Sequence, residues 1–527
     1  MKSENERKNY HVSTKSIGSA ISSSDENIKI GLEIHCQLTS LNTKLFCSCF
    51  SNYRDLKPNE NICPICLGLP GSLPLLNKKA VEYASMISIS LNCNLPEKIK
   101  FYRKNYFYPD LPKNFQITQY NSYEISSIGH DGSLLYSNDT STNKDNNLGG
   151  KTIRIKRVQL EEDPGKIVYE DNNTKITNYC LIDYNRAGVA LVEIVTEPDF
   201  DNPTDVRLFL NKITNIFEYL GVCNPNLEGS VRCDVNVSIK GGKKVEIKNI
   251  SSFKDVERSI FYEITRQKTL SIHEIKIKSE TRHWDEKRKI TFAARAKEEE
   301  DEYKYFPEPD IPTIILGVNF KDKIKDKMPE LPNERLYRYK NDHKLSEHAS
   351  NILVNNKSVS DFYESAVKLY NSPKEVSNWI INELLSKINE GDMEKNDISS
   401  GKDFKENKFF NVNVTPKQIA DMARLVEEKS LNRNIAKEIF NKSIKTGEDP
   451  LKLSQNINAE RVSDQQVLTK FIHEILSEEN HLIKESIVNP NIHNFILGKI
   501  MKKTNGRADP KLTLTLIKKA IEESVIN

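Results

Sequence analysis

Two segments of the chain alternate with a period of two, and on each the face that could meet water is loaded with chemically specific side chains. In IKIGLEIHCQL, Leu32, Ile34, Cys36 and Leu38 fall on one side of an extended chain, while Gly31, Glu33, His35 and Gln37 fall on the other. In GSVRCDVNVSIK, Val231, Cys233, Val235, Val237 and Ile239 alternate with Ser230, Arg232, Asp234, Asn236 and Ser238, and Glu246 and Lys248 continue the theme in VEIKNI. Such periodicity commits these segments to a sheet with one buried face. Solvent-facing strands carry Thr, Lys and Glu with little regard to type, so this collection of Glu, His, Arg, Asp and Asn favours a concave polar site.

The strand-like pattern runs from about residue 29 to 320, with helical interludes near 77–92, 203–219 and 254–268. Beyond about 328 the period becomes helical. SPKEVSNWIINELLSKINEG offers Ser372 as N-cap, Pro373 at the first helical position, Glu375 to complete a capping box and Gly391 as a stop. TPKQ at Thr415 and SDQQ at Ser463 repeat the capping logic, while the polar run 391–408 reads as a linker or an inserted loop. The expected class is therefore α+β. A mainly antiparallel-sheet, cradle-like domain with flanking helices spans 28–320, behind a disordered tail at 1–27; an all-α domain with a polar linker spans 321–410, and a small all-α tail domain spans 411–527.

At 527 residues the chain exceeds what one core serves, and 37% hydrophobic with 29% charged residues sustains packed domains. No run of about 18 apolar residues is present, which argues against a membrane span. Residues 1–27 lack an apolar signal core, and Glu4, Glu6, Asp25 and Glu26 argue against a transit peptide, so a cytoplasmic location is expected. A formal charge of +3 means that nucleic acid, if bound, is met by local patches. One such patch, Lys499, Lys502, Lys503, Arg507 and Lys511, surrounds the Asn505-Gly506 junction ahead of Pro510, and reads either as a solvated helix face or as a phosphate contact.

Nine cysteines, odd in number and unevenly spaced, do not suggest a disulfide framework. Cys47, Cys49, Cys63 and Cys66 form a C-x-C pair and a C-x-x-C pair, which can supply four soft ligands to a tetrahedral zinc ion. Four protein ligands close the shell, so the role of a bound ion is structural; the alternative is four reduced cysteines without metal. Acidic residues also stand where a sheet wants hydrophobes: Glu161, Glu162 and Asp163 end the run KTIRIKRVQLEED, and Glu193 interrupts VALVEIV. Desolvated carboxylates need a partner or a cation. With Glu33 and His35 they suggest three carboxylates and an imidazole, a set that suits magnesium or manganese, although each alone is commonly a salt-bridged structural group. The run FYRKNYFYPDLPKNFQITQYN mixes aromatics, basics and prolines, which suits ordinary loop packing or stacking on bases, and within it Lys104 and Lys113 are candidates to line a polar passage.

These motifs, together with CPICLGLPGSLPLLN, QLEEDPGK, DYNRAGVALVEIVTEPD, LEGSVRCDVNVSI, IKNISSF, ETRHWDE, YFPEPDIP and GKIMKKTNGRADPKL, resemble in kind and order the GatB family, the B subunits of aspartyl/glutamyl-tRNA amidotransferases. The resemblance covers nearly the whole chain from about residue 28. It implies an ATP-dependent carbon–nitrogen ligase acting on Glu-tRNA(Gln) or Asp-tRNA(Asn), with ammonia from the glutaminase A subunit of a complex that a small C subunit completes. Carried over, magnesium falls on Glu33, His35, Glu162 and Glu193, and structural zinc on Cys47, Cys49, Cys63 and Cys66. The nucleotide and acyl site falls on Glu228, Ser230, Arg232, Asp234, Asn236 and Lys248, the ammonia route on Lys104 and Lys113, and tRNA contact on Lys499, Lys502, Lys503 and Arg507. Departures are few: Lys304 where Arg is usual, Pro164 for Ala, and Ala190 for Pro. The residues alone leave two other classes open, a non-catalytic tRNA-binding scaffold and a zinc hydrolase.

Overall fold

A computed structural model describes residues 28–121, 124–137, 151–168, 179–296, 303–388, 414–428, 431, 433–456, 465–478, 492–504, 508 and 510–526. The expected tail at 1–27 and the linker at 391–408 lie outside them, as do Gly391, Ser463 and Arg507. The chain divides into two compact units at Leu331 and Pro332.

The first unit is built on an eight-stranded sheet. Its strands are β1 (Ile28–Gln37), β2 (Gly129–Ser137), β3 (Lys151–Glu162), β4 (Ala190–Thr196), β5 (Val231–Ile239), β6 (Val245–Lys248), β7 (Glu280–Asp285) and β8 (Ile290–Ala296). They are ordered β8-β7-β6-β5-β1-β4-β3-β2. All neighbours are antiparallel except β6 and β7, which are parallel. The apolar faces anticipated for β1 and β5 are the core: Ile30, Leu32, Ile34, Cys36, Val235 and Val237 are buried with the helices α1 (Lys78–Ser90), α2 (Pro203–Leu220) and α3 (Phe253–Ile272) over that side. Each helix is started by a side chain that accepts backbone N–H bonds, Asn77, Asn202 and Ser252 respectively. The opposite, polar face is left for the site.

The alternation of β3 holds a surprise. Ile153 and Ile155 are buried, and a bulge between Ile155 and Arg157 then switches the parity, so that Val158 and Leu160 take over the core. Every residue after the bulge faces opposite to what a straight strand would give.

The second unit is helical. It contains α4 (Pro332–Asn341), α5 (Glu347–Val354), α6 (Lys357–Leu369), α7 (Pro373–Asn378), α8 (Pro416–Glu427), α9 (Arg433–Thr446), α10 (Pro450–Asn456), α11 (Gln465–Glu478), α12 (Ile492–Lys503) and α13 (Pro510–Ile526). Pro373 opens α7 as expected, but Ser372 makes no side-chain cap, and Glu375 pairs instead with Arg433 at 3.3 Å. The helix runs on as a π-helical turn, Trp379–Leu384. Thr415 does form its capping box with Gln418. Sequence placed a boundary near residue 410, yet α8 packs on α6, and Trp379 meets Phe440 of α9 edge to face at 5.3 Å. Helices α11, α12 and α13 gather a core of their own around Leu468, Ile472, Ile496, Ile500 and Ile517.

Candidate active site

Register across the four central strands assembles the polar face. Glu33 lies opposite Asp234 of β5, and His35 lies between Arg232 of β5 and Glu193 of β4. Gln159 of β3 lies opposite Glu193, so Glu161, two residues on, shares that face. His35 Nε2 stands 3.5 Å from Glu33 Oε1 and 3.6 Å from Glu193 Oε2. Two sets of ligating atoms therefore share the imidazole: Glu33, His35 and Asp234, and His35, Glu161 and Glu193, each within 4.8 Å of one another.

Glu162, expected among them, is not there. The bulge turns it to the other face, where its carboxylate accepts from Lys113 Nζ at 2.6 Å and from the Ile117 amide at 2.9 Å. Glu161 takes the position instead, receiving a hydrogen bond from Thr118 Oγ1 at 2.9 Å. The signal was available in the sequence: Val158 and Leu160 are the apolar partners of that stretch, and Glu161 is out of phase with both.

A cavity of about 550 Å³ opens over this wall, lined by Glu33, His35, Glu161, Glu193, Glu228, Arg232, Asp234, Lys104 and Lys248. Its cations are tethered. Lys248 Nζ reaches Asp234 Oδ2 at 2.7 Å, and Arg232 Nη2 donates to Asp163 Oδ1 at 2.8 Å. Gln37 also donates to Asp163, and Arg54 donates to Gln37 Oε1 and to the Glu228 carbonyl, both at 2.8 Å. Lys104 Nζ lies over the rings of Tyr303 at 4.8 Å and Tyr106 at 5.6 Å. Ser230 and Asn236 lie outside the cavity lining: Ser230 is buried at the start of β5, and Asn236 pairs across the strands with Gly31. Sequence reasoning gave no role to Arg54, Tyr106 or Tyr303, and it noted Gln37 and Asp163 only as polar-face and acidic residues, because their contribution is to anchor others across long separations.

Electrostatics follow from this crowding. Burial disfavours a charged His35, but hydrogen bonds to Glu193 and Glu33 overcome it and raise its pKa to about 10. Burial and the neighbouring charge of Glu193 push Glu161 up to about 7. Burial opposes ionisation of Glu33 too, yet His35, then Lys248 and Lys104, hold it well below the usual carboxylate range. A protonated imidazole thus occupies the focus of several carboxylates. The donor set of carboxylates plus one imidazole fits a hard divalent cation, which would take over that focus.

The four cysteines converge as the spacing suggests, with their Sγ atoms within 4.8 Å of one another. A tetrahedral zinc with Zn–S of about 2.3 Å sets sulfurs roughly 3.8 Å apart, so the cluster fits the ion. The Cys63 amide donates to Cys66 Sγ at 3.1 Å. Elsewhere, Lys304 is exposed and has a φ of +43°; its carbonyl accepts from Asn105 Nδ2 at 2.7 Å, a contact that is indifferent to the Lys-for-Arg exchange. In the second unit Lys499 lies over Phe495 at 4.8 Å, Lys502 is exposed, and Lys503 pairs with Glu474 at 3.5 Å and Glu478 at 3.7 Å.

A family profile described as the GatB/GatE catalytic domain matches residues 28–322, and one described as the GatB domain matches residues 361–521. The chain belongs to the GatB family. Relatives named as the B subunits of aspartyl/glutamyl-tRNA(Asn/Gln) amidotransferases match it almost end to end: that of Saccharolobus solfataricus is 39% identical over 94% of this chain and 99% of its own. That of Thermodesulfovibrio yellowstonii is 40% identical over 94% and 99%, and that of Thermotoga maritima 38% over 94% and 98%. The catalytic-domain match spans the entire eight-stranded sheet. Among the described residues no helix is long and apolar enough to cross a membrane.

Proposed function

We propose that the chain is the B subunit of a tRNA-dependent amidotransferase that uses ATP to activate the side-chain carboxyl of Glu on tRNA(Gln), of Asp on tRNA(Asn), or of both, and then amidates it. The observation that carries this reading is the convergence of Glu33, His35, Glu161 and Glu193 on one wall of a cavity whose other charges are the tethered cations Arg232, Lys248 and Lys104. A carboxylate repels nucleophiles and has no good leaving group. In the first step its oxygen attacks the terminal phosphorus of ATP and ADP leaves; in the second, ammonia nitrogen attacks the acyl carbon, phosphate leaves, and the nitrogen gives up a proton. Glu33, His35, Glu161 and Glu193 would hold magnesium, which when bound draws charge from the phosphates.

Arg232 and Lys248, fixed by Asp163 and Asp234, supply stationary positive charge for the triphosphate and the attacking carboxylate. Lys104, held between tyrosine rings, and Lys113, held by Glu162, line the ammonia route from the glutaminase A subunit, the small C subunit being the further partner. Structural zinc belongs to Cys47, Cys49, Cys63 and Cys66, and tRNA contact to Lys499, Lys502 and Lys503. The reading places the protein in the cytoplasm. The test is amidation of Glu-tRNA(Gln) and Asp-tRNA(Asn) by the chain co-purified with its A and C partners, with and without ATP. Glu193→Gln is expected to spare tRNA binding and abolish ATP-dependent amidation; equal amidation by variant and wild type overturns the site, and loss of tRNA binding favours a scaffold.

A further inference from the structure

Among the described residues Lys44 is a buried lysine with no acidic partner. Its side chain is fully shielded from solvent, and its ammonium donates to the Asn61 carbonyl at 2.9 Å and to Cys66 Sγ at 3.8 Å. Among the described residues no carboxylate lies within ion-pair distance of it. An unpaired ammonium is strongly disfavoured in such a place. The lysine is nevertheless held there firmly. Its own amide donates to the Cys49 carbonyl and the next amide to Gly188, both at 2.9 Å. The stem runs past Gly188, where a Cβ would stand 3.6 Å from Lys44 Cδ and 3.5 Å from Cys66 Cβ. Asn61, which takes one of its hydrogen bonds, is fixed in turn, its amide donating to Asn185 Oδ1 and its side chain to the Phe50 carbonyl, each at 2.8 Å. The ammonium is thus aimed at the sulfur cluster by rigid backbone.

We propose that Lys44 is the built-in counter-ion of the four-thiolate knuckle, a positioning residue that offsets part of the negative charge left when four thiolates surround a divalent zinc. The inference rests on the reading of Cys47, Cys49, Cys63 and Cys66 as a zinc site, and adds to it the charge that lets such a site be buried. Four thiolates overcompensate a divalent ion, and the excess is unfavourable in an apolar surrounding. The Cys63 amide and the Lys44 ammonium converge on the same sulfur, Cys66 Sγ, as donors from outside the ligand shell. Lys44 also explains why the knuckle is docked against the turn at Gly188, since that turn walls in both the stem and Cys66.

The test uses the full chain, with zinc affinity measured by competition against a chromophoric chelator. Lys44→Met removes the charge and keeps the stem; Lys44→Gln removes the charge and keeps a donor for the Asn61 carbonyl. Both are expected to bind zinc about 10- to 100-fold more weakly than wild type. With cobalt(II) in place of zinc, both should shift the thiolate-to-metal absorption to lower energy, because a thiolate that loses a nearby cation gives up its electron more easily. Should Lys44→Met fail to fold, Lys44→Gln carries the test alone. Wild-type zinc affinity and an unshifted cobalt spectrum in Lys44→Gln would reduce Lys44 to a hydrogen-bonded strut and overturn the proposal while leaving the knuckle intact. A wild-type chain that takes up no zinc would overturn the knuckle itself, and the counter-ion with it.

Discussion

Glu161 and Glu162 are neighbours with nearly equal burial, 4% and 3% exposed, yet the bulge in β3 sends one into the cavity and the other into an ion pair with Lys113. Their substitutions should therefore part company. Glu161→Gln removes one donor from the cavity wall, and magnesium affinity measured by calorimetry is expected to fall at least about tenfold with the melting temperature little changed. Glu162→Gln leaves Lys113 without its carboxylate. Chemical denaturation should show a loss of about 3 kcal/mol, while magnesium affinity is retained. The opposite pattern would mean that the carboxylates exchange roles. Glu33, His35, Arg232 and Asp234 were legible in the sequence because each sits in a run of uninterrupted alternation, and Glu193 because a lone carboxylate interrupts an apolar strand. Glu162 entered the ligand set through the family resemblance, and strand phase alone could have favoured Glu161, since the apolar phase of Val158 and Leu160 records the bulge.

At the scale of elements, the three flanking helices of the first unit were foreseeable from the change of period, and α3 shows what holds such a helix to the sheet. Asp255 in its first turn is buried. It accepts from Ser252 Oγ at 3.0 Å, Lys289 Nζ at 2.9 Å and Arg258 Nη1 at 3.2 Å. Burial pushes its pKa up, but Lys289, Ser252 and Arg258 outweigh burial and leave it below the ordinary aspartate value. A depressed carboxylate stabilises the fold above its unfolded pKa of about 3.9 and loses that contribution as pH falls through the lower folded value. Asp255→Asn is thus expected to cost about 1–2 kcal/mol at pH 7 in urea titrations, with the gap closing as pH is taken below about 4. A gap that stays constant would assign the effect to packing. What the sequence did not disclose at this scale is the π-helical turn at Trp379–Leu384, where regular apolar spacing continues straight through, nor that the capping box expected at Ser372 does not form and Glu375 is ion-paired with Arg433 instead.

For the whole molecule, the border expected near residue 410 falls inside the second unit, because a polar run in sequence need not separate two cores in space. Helices α8 and α9 lie beyond that linker, yet Phe440 packs on Trp379, Lys437 pairs with Glu383 at 2.7 Å, and Arg433 pairs with Glu375. A cut near residue 410 would strip that core of its cover. The better cut follows residue 456, ahead of the separate cluster around Leu468, Ile496 and Ile517. Loss of α11, α12 and α13 removes Lys499, Lys502 and Lys503 without opening the core around Trp379 and Phe440. Zinc content and thermal stability of the remainder should match the full chain, while tRNA affinity falls and the slope of log affinity against log salt becomes shallower by roughly two to three. Lys503 sets the lower end of that range, since Glu474 and Glu478 already compete for its charge and a phosphate must displace them. Glu474→Gln in the full chain should accordingly strengthen tRNA binding at low salt, and unchanged affinity there would place the tRNA contact elsewhere than on this helix.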